Sequence, residues 1–199
     1  MPVAISGDGT ITGLSVGGLP NGIVDADMLA ANAVTAEKIS SKTFTSYAII
    51  CDKKAYNVQG GSATAGAWHQ RDLNHEIADP DGIVSISNNH FVLQAGTYLI
   101  KWKCPGYAIN RTFTELVTVA SSGSGTATRV ALSNILYMSQ SGTESAFVTG
   151  THRITIGAET YFAIKQHAQS VKSGNGLGVK TNLSGNDSIY TIVEIYKEA

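Results

Sequence analysis

Hydrophobic and polar residues alternate with a period of two along most of the chain from about residue 44 onward. The alternating runs are rich in Val, Ile, Thr, Tyr and Phe, and clusters of Gly, Asn, Asp and Ser separate them. In the last run, "SIYTIVEIYK", one face carries Ile189, Thr191, Val193 and Ile195, and the other carries Tyr190, Ile192, Glu194 and Tyr196. No run has the length or period of a long helix. We predict an all-β head over residues 44–199, an antiparallel two-sheet sandwich of about seven or eight short strands with a jelly roll as the leading topology.

The first 43 residues differ from the rest of the chain in composition and residue pattern. Residues 1–20 are rich in glycine and alternate small polar with aliphatic residues, which is typical of extended chain with turns. Residues 23–30 then align with residues 33–40 as a ten-residue repeat. In each copy an Asp or Thr, Asp25 or Thr35, is placed to cap a short helical turn ending at Leu29 or Ile39.

Helical turns this short are unstable in water unless other parts of a protein pack on them. We therefore interpret residues 1–43 as an assembly segment ordered by contact with other chains. The alternative is a flexible tail with accidental similarity between two short windows. The side chains predicted to make the assembly contacts are the apolar ones of the repeat: Ile23, Val24, Met28, Leu29, Val34 and Ile39.

Composition narrows the classes of function. The chain has 43% hydrophobic and 15% charged residues, enough apolar surface for a packed core. Its net charge of −1 gives no excess of Lys and Arg for phosphates or anionic lipid, so nucleic acid and membrane surfaces are not expected partners. The longest apolar run that we find, Tyr47 to Cys51, is too short to span a bilayer, and no Lys or Arg precedes Lys38 to form a secretory signal. We expect a protein made and assembled in a cytoplasm.

Motifs for catalysis or cofactor binding are not found in the sequence. "GNGLG" at residues 174–178 leads into a strand rather than a helix, which indicates a flexible turn and not a phosphate loop. The five histidines lack metal-site spacing, and no Gly-x-Ser-x-Gly motif occurs. We expect no enzyme activity, cofactor or metal. Cys51 and Cys104 are expected to be buried and reduced, with a bridge between them as the alternative.

Three segments resemble bacteriophage virion proteins of the tail fibre type. They are "WHQRDLNHEIADPDGIVSISNNHFVLQAGTYLIKWKCPGY" (68–107), "GTHRITIGAETYFAIKQHAQ" (150–169) and the C-terminal "IYTIVEIYKEA". The leader "GDGTITGLSVGGLPNGIVDADMLAANAVTAEKI" resembles the attachment regions at the start of such proteins. The order Phe-x-x-x-x-Gly-x-Tyr at residues 91–98, a later "ITIGAETYFAI" and a C-terminal strand are also similar to the C1q and tumour-necrosis-factor jelly rolls.

These resemblances imply a homotrimer in the virion, assembled in the bacterial host cytoplasm, whose leader binds other virion proteins of tail or capsid. The head of a short tail fibre would contact a glycan or protein of the host surface, and the alternative is a capsid decoration trimer. Candidates for host contact are the loops "NVQGGSATAGAWHQ" and "SVKSGNGLG" and the aromatic residues Trp68, Tyr107 and Tyr137. Candidates for the trimer core are Ile189, Tyr190, Ile192, Val193 and Ile195. A competing interpretation is a glycan-degrading enzyme with a carboxylate pair in a groove.

Overall fold

The computed structural model describes residues 4–5, 11–12, 44–120, 126–181, 183 and 185–198. The chain divides into two compact units, Met1–Lys42 and Thr43–Ala199. In the first unit, β1 (Ala4–Ile5) pairs antiparallel with β2 (Ile11–Thr12). The ten-residue repeat, with the six side chains predicted for assembly, lies outside the described residues. Its role stays a prediction.

The second unit, the head, is built from strands alone in the part that the structure describes. Its strands are β3 (Ser46–Lys54), β4 (Trp68–Gln70), β5 (His75–Ala78), β6 (Val84–Ser87), β7 (His90–Leu93), β8 (Gly96–Tyr107), β9 (Asn110–Val119), β10 (Thr128–Leu132), β11 (Leu136–Met138), β12 (Ser145–Ile156), β13 (Thr160–Ala168) and β14 (Ser188–Lys197).

The strand order is that of a jelly roll. One five-stranded sheet has the order β12-β8-β14-β3-β5, and a seven-stranded sheet has the order β10-β9-β13-β7-β6, with β11 added beside β9 and β4 beside β13. The pairs β3 with β14, β7 with β13, β8 with β12 and β9 with β10 are nested inside one another along the chain, and successive pairs fall alternately in the two sheets. All of these pairs are antiparallel. The predicted all-β antiparallel jelly roll is confirmed.

The register gives the sandwich two distinct ends. At the basal end, Ser46 at the start of β3 lies opposite Lys197 at the end of β14. At the apical end, β3 finishes at Lys54 opposite Ser188. The end of β8 lies at the apical end too, because β8 is antiparallel to β14. Two residues lead from there to the start of β9 in the other sheet, which lies opposite the end of β13.

The core lies between the sheets and follows from the period-two alternation. Inward residues of the five-stranded sheet such as Ile100 and Val193 pack with Phe162 and Ile164 of the seven-stranded sheet, and all four are fully buried. Because successive side chains of a strand point to opposite faces, one parity of each strand fills this layer. Burying a Phe, Ile or Val side chain contributes about 1.5–3 kcal/mol each.

Polar side chains also bridge the two sheets inside the core. The indole Nε1 of Trp102 donates to Thr114 Oγ1 at 2.8 Å, and Gln166 Nε2 donates to Pro105 O at 3.2 Å. Arg71 Nε donates to Thr191 Oγ1 at 2.7 Å. Beyond these bonds lies a second, smaller apolar cluster at the apical end, made of Ala63, Ile109, Met138, Ala168 and Leu177.

The single run "IVSISNNHFVLQAGTYLIKWKC" forms three strands, so the head has more and shorter strands than the sequence predicts. Asn88 and Asn89 join β6 to β7 with φ of 52° and 63°, a two-residue hairpin loop with both residues left-handed. Such loops require residues that tolerate positive φ, and asparagine is one of the few that do.

Strand β14 departs from the predicted alternation. A register shift between Ile189 and Ile192 leaves Ile189 42% exposed, whereas Thr191 is fully buried. The prediction that Ile189 shares a face with Thr191 is therefore wrong, because an irregularity in the pairing reverses the pattern at that point.

The two cysteines are free and buried. Cys51 lies in β3 and Cys104 in β8, and β14 runs between these strands, so two strand spacings separate the thiols. Burial raises the pKa of Cys104 to about 11. The prediction of buried thiols is confirmed, and the alternative of a bridge is not.

Candidate functional site

Two loops that are far apart in the sequence come together at the apical end. We call residues 55–67 and 169–181 the apical loops. Gly60 N donates to Gly178 O at 2.9 Å, and Leu177 N donates to Gly61 O at 3.0 Å. Ala63 and Lys172 exchange two backbone hydrogen bonds, each 2.9 Å long. The two segments predicted from sequence to be host-contact loops therefore form one hydrogen-bonded surface.

Glycine is required where these loops approach each other. A Cβ on Gly176 would lie 2.6 Å from the Cβ of Ala63, and one on Gly60 would lie 2.7 Å from the carbonyl oxygen of Leu177. Both distances are shorter than carbon and oxygen atoms tolerate without bonding. Gly176 of "GNGLG" thus permits close packing between the two loops.

Tyr107 lies beside the apical loops, at the end of β8. Its backbone N donates to Gly176 O at 3.0 Å, and Lys172 Nζ lies 5.0 Å from the centre of its ring. Its side chain is half-buried. Tyr107 therefore joins the end of the five-stranded sheet to one apical loop.

Trp68 lies on the outward face of the seven-stranded sheet, close to the apical end. It is 37% exposed, and its ring centre lies 5.2 Å from the rings of both Phe113 and His167, in edge-to-face geometry. Phe113 and His167 stack on each other, also at 5.2 Å. Residues Trp68, His167 and Phe113 come from three neighbouring strands in register, which fixes the three rings as one cluster.

Charged side chains surround this ring cluster. The guanidinium of Arg129 lies 5.9 Å from the centre of the Trp68 ring, and its Nε donates to Glu115 Oε2 at 2.6 Å. Lys165 lies opposite Glu115 in the next strand. We call Trp68, Phe113, His167, Glu115, Arg129 and Lys165 the aromatic–cation patch. Tyr137 lies on the same face, 66% exposed, with the Arg111 guanidinium 6.0 Å from its ring centre.

Of the three aromatic residues predicted for host contact, Trp68 and Tyr137 thus share one sheet face, and Tyr107 lies at the apical loops. Sequence reasoning missed Phe113, His167 and Arg129. The alternation in "RTFTELVTV" and "FAIKQHA" puts Phe113 and His167 at outward positions, but only the strand register shows that they are neighbours.

The outward face of the five-stranded sheet exposes aromatic rings among charged and threonine side chains. Tyr47 is 43% exposed and lies opposite Tyr196, whose ring centre is 5.2 Å from that of Phe44. Phe147, on the neighbouring strand pair, is 53% exposed. A shallow depression of about 200 Å³ lies between these rings, and its outward lining includes Lys101, Lys103, Thr149, Thr151, Ile192 and Glu194. We call this surface the open sheet face.

The residues predicted for the trimer core lie on both sides of β14. Tyr190 is 3% exposed, and Val193 and Ile195 are fully buried inside the sandwich of a single chain. Ile192 lines the depression of the open sheet face, and Ile189 is 42% exposed. Within this set, only Ile189 and Ile192 are available to a second chain.

A buried charge cluster connects the sheets near the apical end. Arg71 and Asp52 are each 1% exposed, and Arg71 Nη2 lies 3.6 Å from Asp52 Oδ2. Lys54 Nζ lies 3.2 Å from Asp52 Oδ1 and also pairs with Asp72. Burial raises the pKa of Asp52, and the cations Arg71 and Lys54 oppose that rise. Burial opposes the charge of Lys54, yet its hydrogen bond to Asp72 and the charge of Asp52 raise its pKa.

The carboxylates joined through Lys54 do not form a catalytic groove, because substrate cannot reach Asp52 at 1% exposure. Among the described residues, no three His, Cys, Asp or Glu side chains are grouped as metal ligands would be. The same part of the chain contains no helix of the length and apolarity that crossing a membrane would require.

Comparison with known proteins finds likeness at the level of structure alone. No protein-family model and no curated protein matches the sequence. The globular domain of zebrafish complement 1qA protein is 12% identical, with a TM-score of 0.44, over 76% of this chain and 95% of that chain. Murine APRIL is 8% identical, with a TM-score of 0.48, over 76% and 98%. Eiger TNF from S. frugiperda is 12% identical, with a TM-score of 0.49, over 79% and 94%. We infer nothing from likenesses at such TM-scores, and we assign the jelly-roll fold from the strand order of this chain.

Proposed function

We propose that this protein is a structural component of a bacteriophage virion, a short tail fibre that acts as a homotrimer. Residues 1–43 anchor it to the particle, and the jelly-roll head contacts the host surface. The proposal starts from the resemblance of the leader and of three head segments to tail fibre proteins. It assigns no catalytic step to the head.

The observation that carries the proposal is the polarity of the head. The described head starts at residue 44, at the basal end, where Thr45 N donates to Lys197 O at 2.8 Å. The apical loops lie at the opposite end of β3, beyond Lys54 and Ser188. The leader therefore joins the head at the basal end, and the apical loops at the opposite end of the sandwich are the candidates for host contact.

The open sheet face supports self-association. This face presents the aromatic side chains of Phe44, Tyr47 and Phe147 at exposures of 39%, 43% and 53%, and aromatic residues are enriched at protein–protein interfaces. Packing the same face of three chains around a common axis would cover these rings. Static light scattering on the purified protein is expected to give the mass of three chains, and a stable monomer would refute the trimer.

Immunogold labelling of intact particles tests where the protein lies on the virion. An antibody against residues 44–199 is expected to label the tail or its tip. Label spread over the capsid would instead establish the second candidate, a capsid decoration trimer, which has the same need for an anchor and a compact head. An absence of label from purified particles would refute both.

The glycan-degrading alternative has its own assay. Incubation of the protein with host surface polysaccharide is expected to release no reducing sugar, because the carboxylate nearest a paired arrangement, Asp52, is buried. Release of sugar would replace the structural role with an enzymatic one.

A further inference from the structure

We propose that the aromatic–cation patch on the seven-stranded sheet binds acidic polysaccharide. This inference rests on the proposed host-surface function and gives it a class of ligand. The patch consists of the three rings of Trp68, Phe113 and His167 with Glu115, Arg129 and Lys165 beside them.

The rings form a fixed surface for a sugar. Each of the three ring centres lies 5.2 Å from the other two, so packing within the cluster holds every ring in place. Trp68 nevertheless keeps 37% of its surface exposed. A pyranose ring presents faces of C–H groups that pack against an aromatic ring, and a surface that is already ordered avoids the entropy cost of arranging itself around the ligand.

The charged side chains near the ring cluster favour an anion. The strands of the seven-stranded sheet contain three Lys and Arg residues (Arg111, Arg129 and Lys165) and one acidic residue, Glu115, so the Lys, Arg, Asp and Glu side chains sum to 3 − 1 = +2. The strands of the five-stranded sheet also carry more cations than carboxylates, so the ligand class follows from the cations that lie beside the ring cluster, Arg129 and Lys165.

Burial of Glu115 increases the excess of exposed positive charge at the patch. Glu115 is 6% exposed and is paired with Arg129, whereas 53% of the Arg129 side chain is exposed. Arg111 and Lys165 form no ion pair with any described residue. The charged groups of the patch that are exposed to solvent are therefore cations, and the Glu115 carboxylate holds Arg129 against the Trp68 ring.

Rings and cations together favour a charged sugar polymer over other ligands. A neutral glycan would use the rings but not the cations. Nucleic acid would need a longer basic track than three residues, on a chain with no net positive charge. A polymer of uronic acids offers C–H faces to the rings and a carboxylate to Arg129 or Lys165 from the same sugar unit.

The two tryptophans of the chain make the patch directly observable. Trp68 belongs to the patch, and Trp102 is 2% exposed in the core. Full-length protein labelled with 5-fluorotryptophan is expected to give two fluorine resonances. Adding oligogalacturonate is expected to shift the Trp68 resonance and leave the Trp102 resonance in place. The methyl ester of the same oligosaccharide is the matched neutral probe, and it is expected to cause little shift.

Charge-removing variants test the cations. Arg129→Gln, which keeps a donor for Glu115, and Lys165→Gln are each expected to weaken binding about three- to tenfold. Lys53→Gln is the matched control, because Lys53 is 36% exposed and ion-paired with Asp187 on the other sheet. An unchanged Trp102 resonance shows that each variant is folded.

Three results would each overturn the proposal: a Trp68 resonance that does not shift on adding oligogalacturonate, equal binding of the methyl ester, or a Lys165→Gln variant that binds like Lys53→Gln. The measurement uses purified protein, so it is independent of where the protein lies on a particle. Binding without label on the tail or capsid would support the patch and refute the virion role. Label on the tail or capsid without binding would support the virion role and refute the patch.

Discussion

The two outward faces of the sandwich use aromatic residues in opposite ways. On the open sheet face, Tyr47 and Phe147 are about half exposed, and lysines lie near the rings of Tyr196 and Phe147. On the other face, the rings of the aromatic–cation patch contact one another, and Arg129 lies against them with Glu115 as its partner. The first face is incomplete in one chain and suits a second copy. The second is complete in one chain and suits the acidic polysaccharide that we propose as its ligand.

The strongest test of this difference places a charge on each face in turn. Tyr47→Asp on the open sheet face is expected to give single chains by light scattering, because a buried carboxylate without a partner is costly at an interface. Tyr137→Asp on the opposite face replaces a more exposed tyrosine, 66% against 43%, and is expected to keep the mass of three chains. Dissociation by both variants, or by Tyr137→Asp alone, would contradict our division of the faces.

The contrast between the faces assumes that the sheets are held as one body, and the buried charge cluster tests that assumption. Arg71→Met leaves Asp52 buried with one cation fewer, and is expected to lower the free energy of unfolding by about 3–5 kcal/mol in urea denaturation. The double variant Arg71→Met with Asp52→Leu is expected to recover part of the loss, since no charge is stranded. A double variant less stable than Arg71→Met would argue against the ion pair as the cause.

Substitutions at the two tryptophans compare a core ring with a surface ring, and the expected losses of stability are smaller. Trp102→Phe removes the hydrogen bond to Thr114 and leaves that buried hydroxyl without its donor, at an expected cost of about 1–3 kcal/mol. Trp68→Phe keeps most of the edge-to-face contact and is expected to cost less than about 1 kcal/mol. Thermal denaturation of both variants measures the difference. Equal losses would mean that the patch contributes to stability as the core does.

The smallest expected effect is the pH dependence that Asp52 brings. Burial raises its folded pKa above the value of the unfolded chain, so folding favours the protonated carboxyl. The stability that it contributes is present below the unfolded pKa and is lost as pH rises through the folded pKa. The unfolding free energy of the wild type, relative to Asp52→Asn, is therefore expected to fall over the pH interval that begins at about 4, the ordinary pKa of an aspartyl side chain. A rise over that interval would show that Arg71 and Lys54 outweigh burial.

The sheets were predictable from sequence because alternation is a local signal, and β12 shows it over its full length and β8 as far as Cys104. The strand pairing is not local: nothing in "SYAIICDKK" specifies that β14 is its neighbour. The irregularity at Ile189 likewise arises from pairing with β3 and not from the composition of β14.

The candidate site was predictable only in part, for the same reason. Trp68, Tyr107 and Tyr137 were singled out as aromatic residues, and the two apical loops followed from the resemblance to trimeric virion proteins. Phe113 and His167 resemble ordinary strand residues until the register places them beside Trp68. The role of Gly176 depends on a contact with Ala63, more than a hundred positions earlier, which no local pattern encodes.

The nested pairing also governs when the head can fold during synthesis. The bond from Thr45 to Lys197 joins residues 152 positions apart, so β3 waits for its partner until the last part of the head has been translated. Until then β3 has an unpaired edge with the apolar run Tyr47 to Cys51, the kind of segment that aggregates with other nascent chains. Completion of β14 closes that edge, so the yield of folded protein depends on how fast the ribosome reaches the C-terminal strand.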